Sequence, residues 1–294
     1  MSPDAAHLLP RDVATQFAHA AVQAIADQAG ITILHVKGPV VDATLLAARF
    51  DEPLAEDSPA PMPRQSVDAD ILVAPSDARA LLEAMTRHGW ELAWDFDEGS
   101  LFAHAATLTH PHLAHVDVHR WFPGIECDPE TAFAILASGA RRIPIAGFPC
   151  LVPSDDAHRL VLLLHAARSP GGGGRADVAE LWTRATGEEQ TSVRRLADRL
   201  DAAVALAAAI GELESVRHRR SYRLWRTLQR RDHTHREVLM GHIVAARPRE
   251  IPALLSRFLL LNKRRMERQR GGAVGLRESL AGYRTWVSRR IRSR

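Results

Sequence analysis

The sequence predicts an α/β (α+β) fold through residue 169 and helix alone from residue 175 onward. Three observations carry this expectation. Segments 31–36, 68–73, 90–94, 101–108 and 113–121 are short and β-branched or alternating, which is the pattern of strands. Stretches between and after them repeat apolar residues at three- and four-residue spacing, which is the pattern of helices. The chain also changes character at Ser169-Pro170-Gly171-Gly172-Gly173-Gly174, a flexible break after which no strand pattern returns.

Taken in order, residues 11–30 form a helix with Val13, Phe17, Ala20, Ala21 and Ile25 on its apolar face and Gly30 closing it. Residues 31–36 form a strand that runs into Lys37-Gly38-Pro39, with a helix over 40–50; proline suits a first helical turn. Residues 51–63 hold four prolines and form a loop. A strand follows over 68–73, a helix over 75–88 closed by Gly89, and paired strands over 90–94 and 101–108. Residues 113–121 form a strand with His115, Asp117 and His119 on one polar face. A short helix covers 129–138, and two short strands lie within 141–151. Ser154-Asp155-Asp156 caps a helix over 153–168. Helices are then expected over 177–186, 191–211, 217–231, 235–246, 252–270 and 276–292.

Length and composition narrow the function. A chain of 294 residues, 46% hydrophobic and 25% charged, suits one large domain or two ordinary ones with a proper core. The division expected is 1–169 and 175–294. Its two cysteines, Cys127 and Cys150, lack metal-ligand spacing, which argues against a zinc ribbon or disulfide framework and for a reducing, cytoplasmic setting. No signal peptide is evident, and the longest apolar run, 202–210, is too short to span a bilayer. The net charge of +3 hides a split: from residue 217 onward 22 Lys or Arg face 5 Asp or Glu, leaving the first 216 residues acidic.

The informative chemistry lies at Arg64-Gln65-Ser66-Val67-Asp68-Ala69-Asp70-Ile71-Leu72-Val73. On a strand, Asp68 and Asp70 project from the same face, and two like charges that close require something cationic between them. A hard divalent cation such as Mg2+ takes oxygen ligands of this kind and is shared with substrate phosphates. Lys37-Gly38, at a strand-to-helix turn, puts a lysine beside free helix N–H groups, an arrangement that attracts phosphate.

These pieces resemble the nucleotidyltransferase superfamily that includes DNA polymerase β, and most of all its uncharacterised bacterial branch. The resemblance rests on Val36-Lys37-Gly38, Arg64, Asp68-Ala69-Asp70-Ile71-Leu72-Val73, Val116-Asp117-Val118-His119 and Leu164-His165-Ala166, and it covers residues 31–167. It implies a mixed-sheet nucleotidyltransferase core flanked by helices, with the helical C-terminal region outside it. It further implies a Mg2+-dependent (or Mn2+-dependent) transfer of NMP from an NTP, ATP included, to a hydroxyl of a protein, RNA or small molecule. Asp68, Asp70 and Asp117 would be the catalytic metal ligands, and Lys37, Gly38, Arg64, Ser66 and His119 would bind nucleotide. The superfamily's usual turn is Gly-Ser where this chain has Lys37-Gly38, which leaves substrate class open.

Rival readings exist for each part. A catalytically inactive nucleotide- or partner-binding module on the same fold is the alternative function. The cluster of His104, His110, His112, His115 and His119 suggests a zinc hydrolase, although no His-Glu-x-x-His helix accompanies it. His165 reads as a buried, hydrogen-bonded histidine. The basic C-terminal helices suit contact with RNA or another polyanion, or equally a solvated arginine-rich surface.

Overall fold

The structure, a computed structural model, describes residues 9–38, 45, 68–96, 103–168, 172–230 and 232–246, with a few single positions beyond. The helices expected over 40–50, 252–270 and 276–292, the 51–63 loop, Arg64 and Ser66 lie outside the described residues or almost entirely so.

Helix α1 (Arg11–Ala29) opens the fold and stops at Gly30, whose φ of 69° places it in the left-handed region that terminates helices. Then come β1 (Ile33–His35), β2 (Asp68–Val73), α2 (Ala78–Arg87), β3 (Glu91–Trp94), β4 (Ala105–Thr109) and β5 (His115–His119). The five strands form one sheet in the order β1-β2-β5-β4-β3. Only β2 and β5 run parallel; the other neighbours are antiparallel, so the sheet is mixed, as the resemblance implies. A parallel pair needs a long crossover, and α2, β3 and β4 supply it.

Alternation decides what each face of the sheet does. Ala69, Ile71 and Val73 of β2 and Val116 and Val118 of β5 pack in one apolar cluster with Ala18, Val22 and Ile25 of α1 and Leu81 and Met85 of α2. Fully burying a side chain such as Ile71 contributes about 1.5–3 kcal/mol. The opposite face carries Asp68, Asp70, Asp117 and His119, and only its Leu72 end joins the second cluster, with Leu34 and Val36.

After β5 the chain forms α3 (Pro129–Ala137), the hairpin β6 (Arg141–Ile145) and β7 (Phe148–Val152), and α4 (Asp155–Arg168). Asp128 caps α3 by accepting from the Thr131 N–H. The remainder is α5 (Gly172–Val178), which widens into a π turn at Ala179–Thr183, then α6 (Gly187–Arg199), α7 (Ala203–Ala209), a 3-10 turn (Leu213–Val216), α8 (Tyr222–Leu228) and α9 (His235–Ala245). No strand occurs beyond residue 168 among the described residues.

Several expectations need correction. The buried face of α1 is Thr15, Ala18, His19, Val22, Gln23, Ile25 and Ala26, while Phe17 is 46% exposed. The polar members are tolerated because they are bonded: Thr15 to the Arg11 carbonyl, His19 to His35, and Gln23 to the Leu151 N–H. The glycine stretch is not all loop, since α5 begins at Gly172. The single helix expected over 191–211 breaks between α6 and α7 at Asp201, which has a φ of 52°. Residues 217–221 precede α8 rather than forming its first turn. One apolar cluster joins Leu160, Leu163 and Leu164 of α4 to Leu181, Leu200, Leu206 and Trp225. No helix among the described residues is long and apolar enough to cross a membrane.

Candidate active site

Strand register builds the site. Asp70 on β2 stands directly opposite Asp117 on the parallel strand β5, and Asp117 stands opposite Thr107 on β4. Partners in register point to the same face of a sheet, so three adjacent strands aim one polar side chain each at one spot. His119, two residues beyond Asp117, shares that face. Ligand atoms of Asp70, Asp117 and His119 lie within 4.8 Å of one another.

Asp70 is 2% exposed, and two groups share the work of keeping it charged. The Lys37 ammonium reaches its Oδ1 at 2.7 Å, and the His119 Nε2–H donates to the same oxygen at 2.8 Å. The Val36 N–H anchors the Asp70 carbonyl at 3.1 Å, which extends the β1–β2 ladder to the residue before Lys37. Burial pushes the Asp70 carboxyl up, but Lys37 and His119 outweigh it and hold it well below the usual carboxylate range. The Thr107 hydroxyl donates to Asp117 Oδ1 at 2.6 Å, which fixes that half-buried carboxylate and leaves Oδ2 for other work.

Behind His119 lies a second layer whose pairing the sequence did not signal. The His104 ring sits 5.3 Å from that of His119, centroid to centroid, and Phe122 lies 5.7 Å away on another side. Arg168, the last residue of α4, donates from Nη1 to His104 Nε2 at 3.1 Å. His104 is therefore neutral with its proton on Nδ1. Burial, with His119 and Arg168 adding to it, pushes its pKa down to about 2. Arg168 stands far from residues 68–119 in sequence, and only the register of the sheet with α4 reveals the pairing. Its position one turn beyond the Leu164-His165 pair was the single available clue.

The other expected site residues are distributed as follows. Asp68 shares the face of Asp70 and stands opposite His115 in register, outside the trio of closely grouped ligand atoms. Gly38 follows Lys37 with a φ of 71°, a backbone conformation that favours glycine. Arg64 and Ser66 lie outside the described residues. His115 is exposed, and His110 stacks on Trp90 at 5.1 Å and accepts from the His112 N–H, so neither His110 nor His112 joins the trio. His165 is half-buried on α4, not fully buried as expected.

Two carboxylates and an imidazole this close suit a divalent cation: the oxygens fit a hard ion, and the nitrogen widens the choice towards Mn2+ or Zn2+. The buried charge of Asp70 also requires a cationic neighbour, which an ion or Lys37 supplies.

A family model described as uncharacterised nucleotidyltransferase matches residues 52–215, more than half of the chain. That span begins after Lys37-Gly38 and continues past residue 167 into the helices. No curated protein matches. Among solved structures, the antibiotic-resistance factor ANT(2'')-Ia is similar at 15% identity and a TM-score of 0.34, over 70% of this chain and 95% of that one. An antigenic nucleotidyltransferase-like protein from Paracoccidioides brasiliensis is similar at 17% identity and a TM-score of 0.37, over 72% of this chain and 99% of that one. Likenesses that loose carry no statement about chemistry.

Proposed function

Because the chain belongs to the family of uncharacterised nucleotidyltransferases, we propose that it moves a nucleoside monophosphate from an NTP to an acceptor hydroxyl at the Asp70–Asp117 face, with Mg2+ or Mn2+ as cofactor. The observation that carries this reading is the register of Asp70 with Asp117 on two parallel strands, with His119 completing a group of ligand atoms within 4.8 Å. Asp70 and Asp117 would hold the cation, with Asp68 on the same face as a further carboxylate. A bound divalent cation supplies charge neutralisation for the triphosphate and the leaving pyrophosphate.

The residues divide the remaining work. Asp117, held through Oδ1 by Thr107, receives the acceptor's proton on its other oxygen as the hydroxyl oxygen bonds to the α-phosphorus. The bond between the α- and β-phosphates breaks, and pyrophosphate leaves. Lys37 and Gly38 meet phosphate oxygens, the first by charge and the second by close approach of its backbone, and Arg64 and Ser66, outside the described residues, would add to them. His119 orients the Asp70 carboxylate by donating to Oδ1. Protein, RNA and small-molecule hydroxyls all suit this chemistry, and the exposed arginines at 217, 219, 220, 223 and 226 favour a polyanionic acceptor.

The test uses radiolabelled NTPs with Mg2+ or Mn2+ and a panel of acceptors, comparing wild type with Asp70→Asn and Asp117→Asn. Pyrophosphate release and label transfer are expected to fall at least a hundredfold in each variant, as befits loss of a principal electrostatic group. Unchanged transfer in either variant would refute the assignment. Nucleotide binding without turnover across all acceptors would favour the inactive binding module instead.

A further inference from the structure

Lys37 poses a question for the metal site. Its ammonium lies 2.7 Å from Asp70 Oδ1, one of the ligand-bearing groups of the trio, and its side chain is 14% exposed whereas that of Asp70 is 3% exposed. The buried carboxylate is thus neutralised by a residue of the chain itself. His119 Nε2 shares the same oxygen, so Oδ1 already holds two donors. A divalent cation arriving alone would meet a fixed positive charge at its first ligand. Buried charges of like sign repel strongly, and screening by salt is weak where Asp70 sits.

We propose that Lys37 is an internal counter-ion that keeps free divalent cation out of the Asp70–Asp117 site and yields only to cation and nucleotide together. The inference rests on the nucleotidyltransferase reading of that site. Three observations make the exchange workable. Lysine is a point charge on a flexible four-carbon stem, so it can leave Asp70 without a change of backbone. The partial exposure of its side chain gives it a path outward. His119 stays on Oδ1 when Lys37 departs, which keeps the carboxylate aimed. The triphosphate then accepts the ammonium while the cation takes its place at Asp70, so each ligand removes the penalty the other faces. Cation and nucleotide would therefore bind synergistically, with each raising the affinity for the other by the same factor.

Mn2+ binding to the full chain, followed by the loss of the free-ion signal in electron paramagnetic resonance, tests this without reference to turnover. Wild type is expected to bind Mn2+ weakly alone and at least tenfold more tightly with a non-hydrolysable NTP analogue. Lys37→Met is expected to bind Mn2+ alone at least tenfold more tightly than wild type, and Lys37→Arg to resemble wild type. Should Lys37→Met fail to fold, Lys37→Gln drops the charge while keeping a donor to Asp70. A further measurement is the melting temperature, which Mn2+ should raise more in the uncharged variants than in wild type. Equal or weaker Mn2+ binding in the uncharged variants overturns the counter-ion role. Adding Asp70→Asn to each separates the two levels: if it abolishes Mn2+ binding while Lys37 substitutions do nothing, the site stands and the counter-ion falls. If Asp70→Asn leaves Mn2+ binding intact, the site assignment itself falls, and the counter-ion with it.

Discussion

Asp70 is a buried anion whose neighbours, rather than its own strand, decide its state. Lys37 and His119 meet on one of its oxygens, and Asp117 faces it across the β2–β5 pairing. Removing one partner of a buried charge costs more than the pair contributes, because the other charge is left without compensation. Thr107 is the corresponding support for Asp117, with its hydroxyl 2.6 Å from Oδ1. Thr107→Val keeps the β-branched shape that β4 requires and removes only the donor. It is expected to lower the turnover of the proposed transfer about ten- to a hundredfold, since a charge-assisted hydrogen bond contributes about 1.5–3 kcal/mol, and to leave melting nearly unchanged. Steady-state kinetics beside a thermal melt would check it. A large loss of stability with turnover per folded molecule intact would assign Thr107 to the fold instead of the site.

Elements carry a second polar layer, on the face of the sheet turned away from Asp117. His19 of α1 and His35 of β1 meet through their Nδ1 atoms at 2.7 Å, and His35 Nε2–H donates to Gln23 Oε1 at 3.0 Å. His35 Nδ1 must then accept and His19 Nδ1–H donate, which makes the His35 ring neutral. Burial pushes His19 down to about 4, partly opposed by Asp70, and pushes His35 well below its usual range, with His19 and Arg142 adding to the effect. A histidine with a lowered folded pKa favours the unfolded chain once protons are available. Its stabilisation is complete above about pH 6.5 and is lost as pH falls towards 4, by about 3 kcal/mol for His19 alone. Asp70 acts in a separate window, below the ordinary carboxylate pKa. Urea unfolding at pH 7.5 and 5 should show a marked loss for wild type and a shallower one for His19→Gln/His35→Gln; equal slopes would refute the role of the pair. This layer also marks the limit of what the chain discloses in one dimension. Alternation in 68–73 and 113–121 shows which side chains share a face, so Asp70, Asp117 and His119 were legible. The burial of His19 and Gln23 was not, because a polar residue in a core is licensed by partners that lie 16 and 128 residues away. The break at Asp201 was hidden likewise, since apolar spacing continues across it. His104 stood in the histidine cluster and Arg168 one turn past Leu164-His165, but nothing local paired the two, which meet only when α4 packs against the sheet.

At the scale of the whole molecule, the question is whether the helices beyond residue 172 form a body of their own. The glycine stretch and the charge split suggest two domains, whereas the apolar cluster of α4 continues through Leu181, Leu200, Leu206 and Trp225. Gly124, in the segment after β5, makes the join specific. Its φ is 108°, and a Cβ there would lie 2.8 Å from Ala205 Cβ and 3.2 Å from Trp225 Cζ2. Neither α7 nor α8 can give way without moving the core that α4 shares with them. Gly124→Ala is therefore expected to destabilise the protein by about 3 kcal/mol or more, combining backbone strain with overpacking. The effect should also reach both halves. Far-ultraviolet circular dichroism and tryptophan fluorescence should give one coincident denaturant transition in wild type, shifted as a whole in the variant. Separate transitions, with only the later one displaced by Gly124→Ala, would mean that the helices fold as a second domain. Arg219 and Arg220, on the exposed turn before α8, would then belong to a unit separate from the body that carries Asp70 and Asp117.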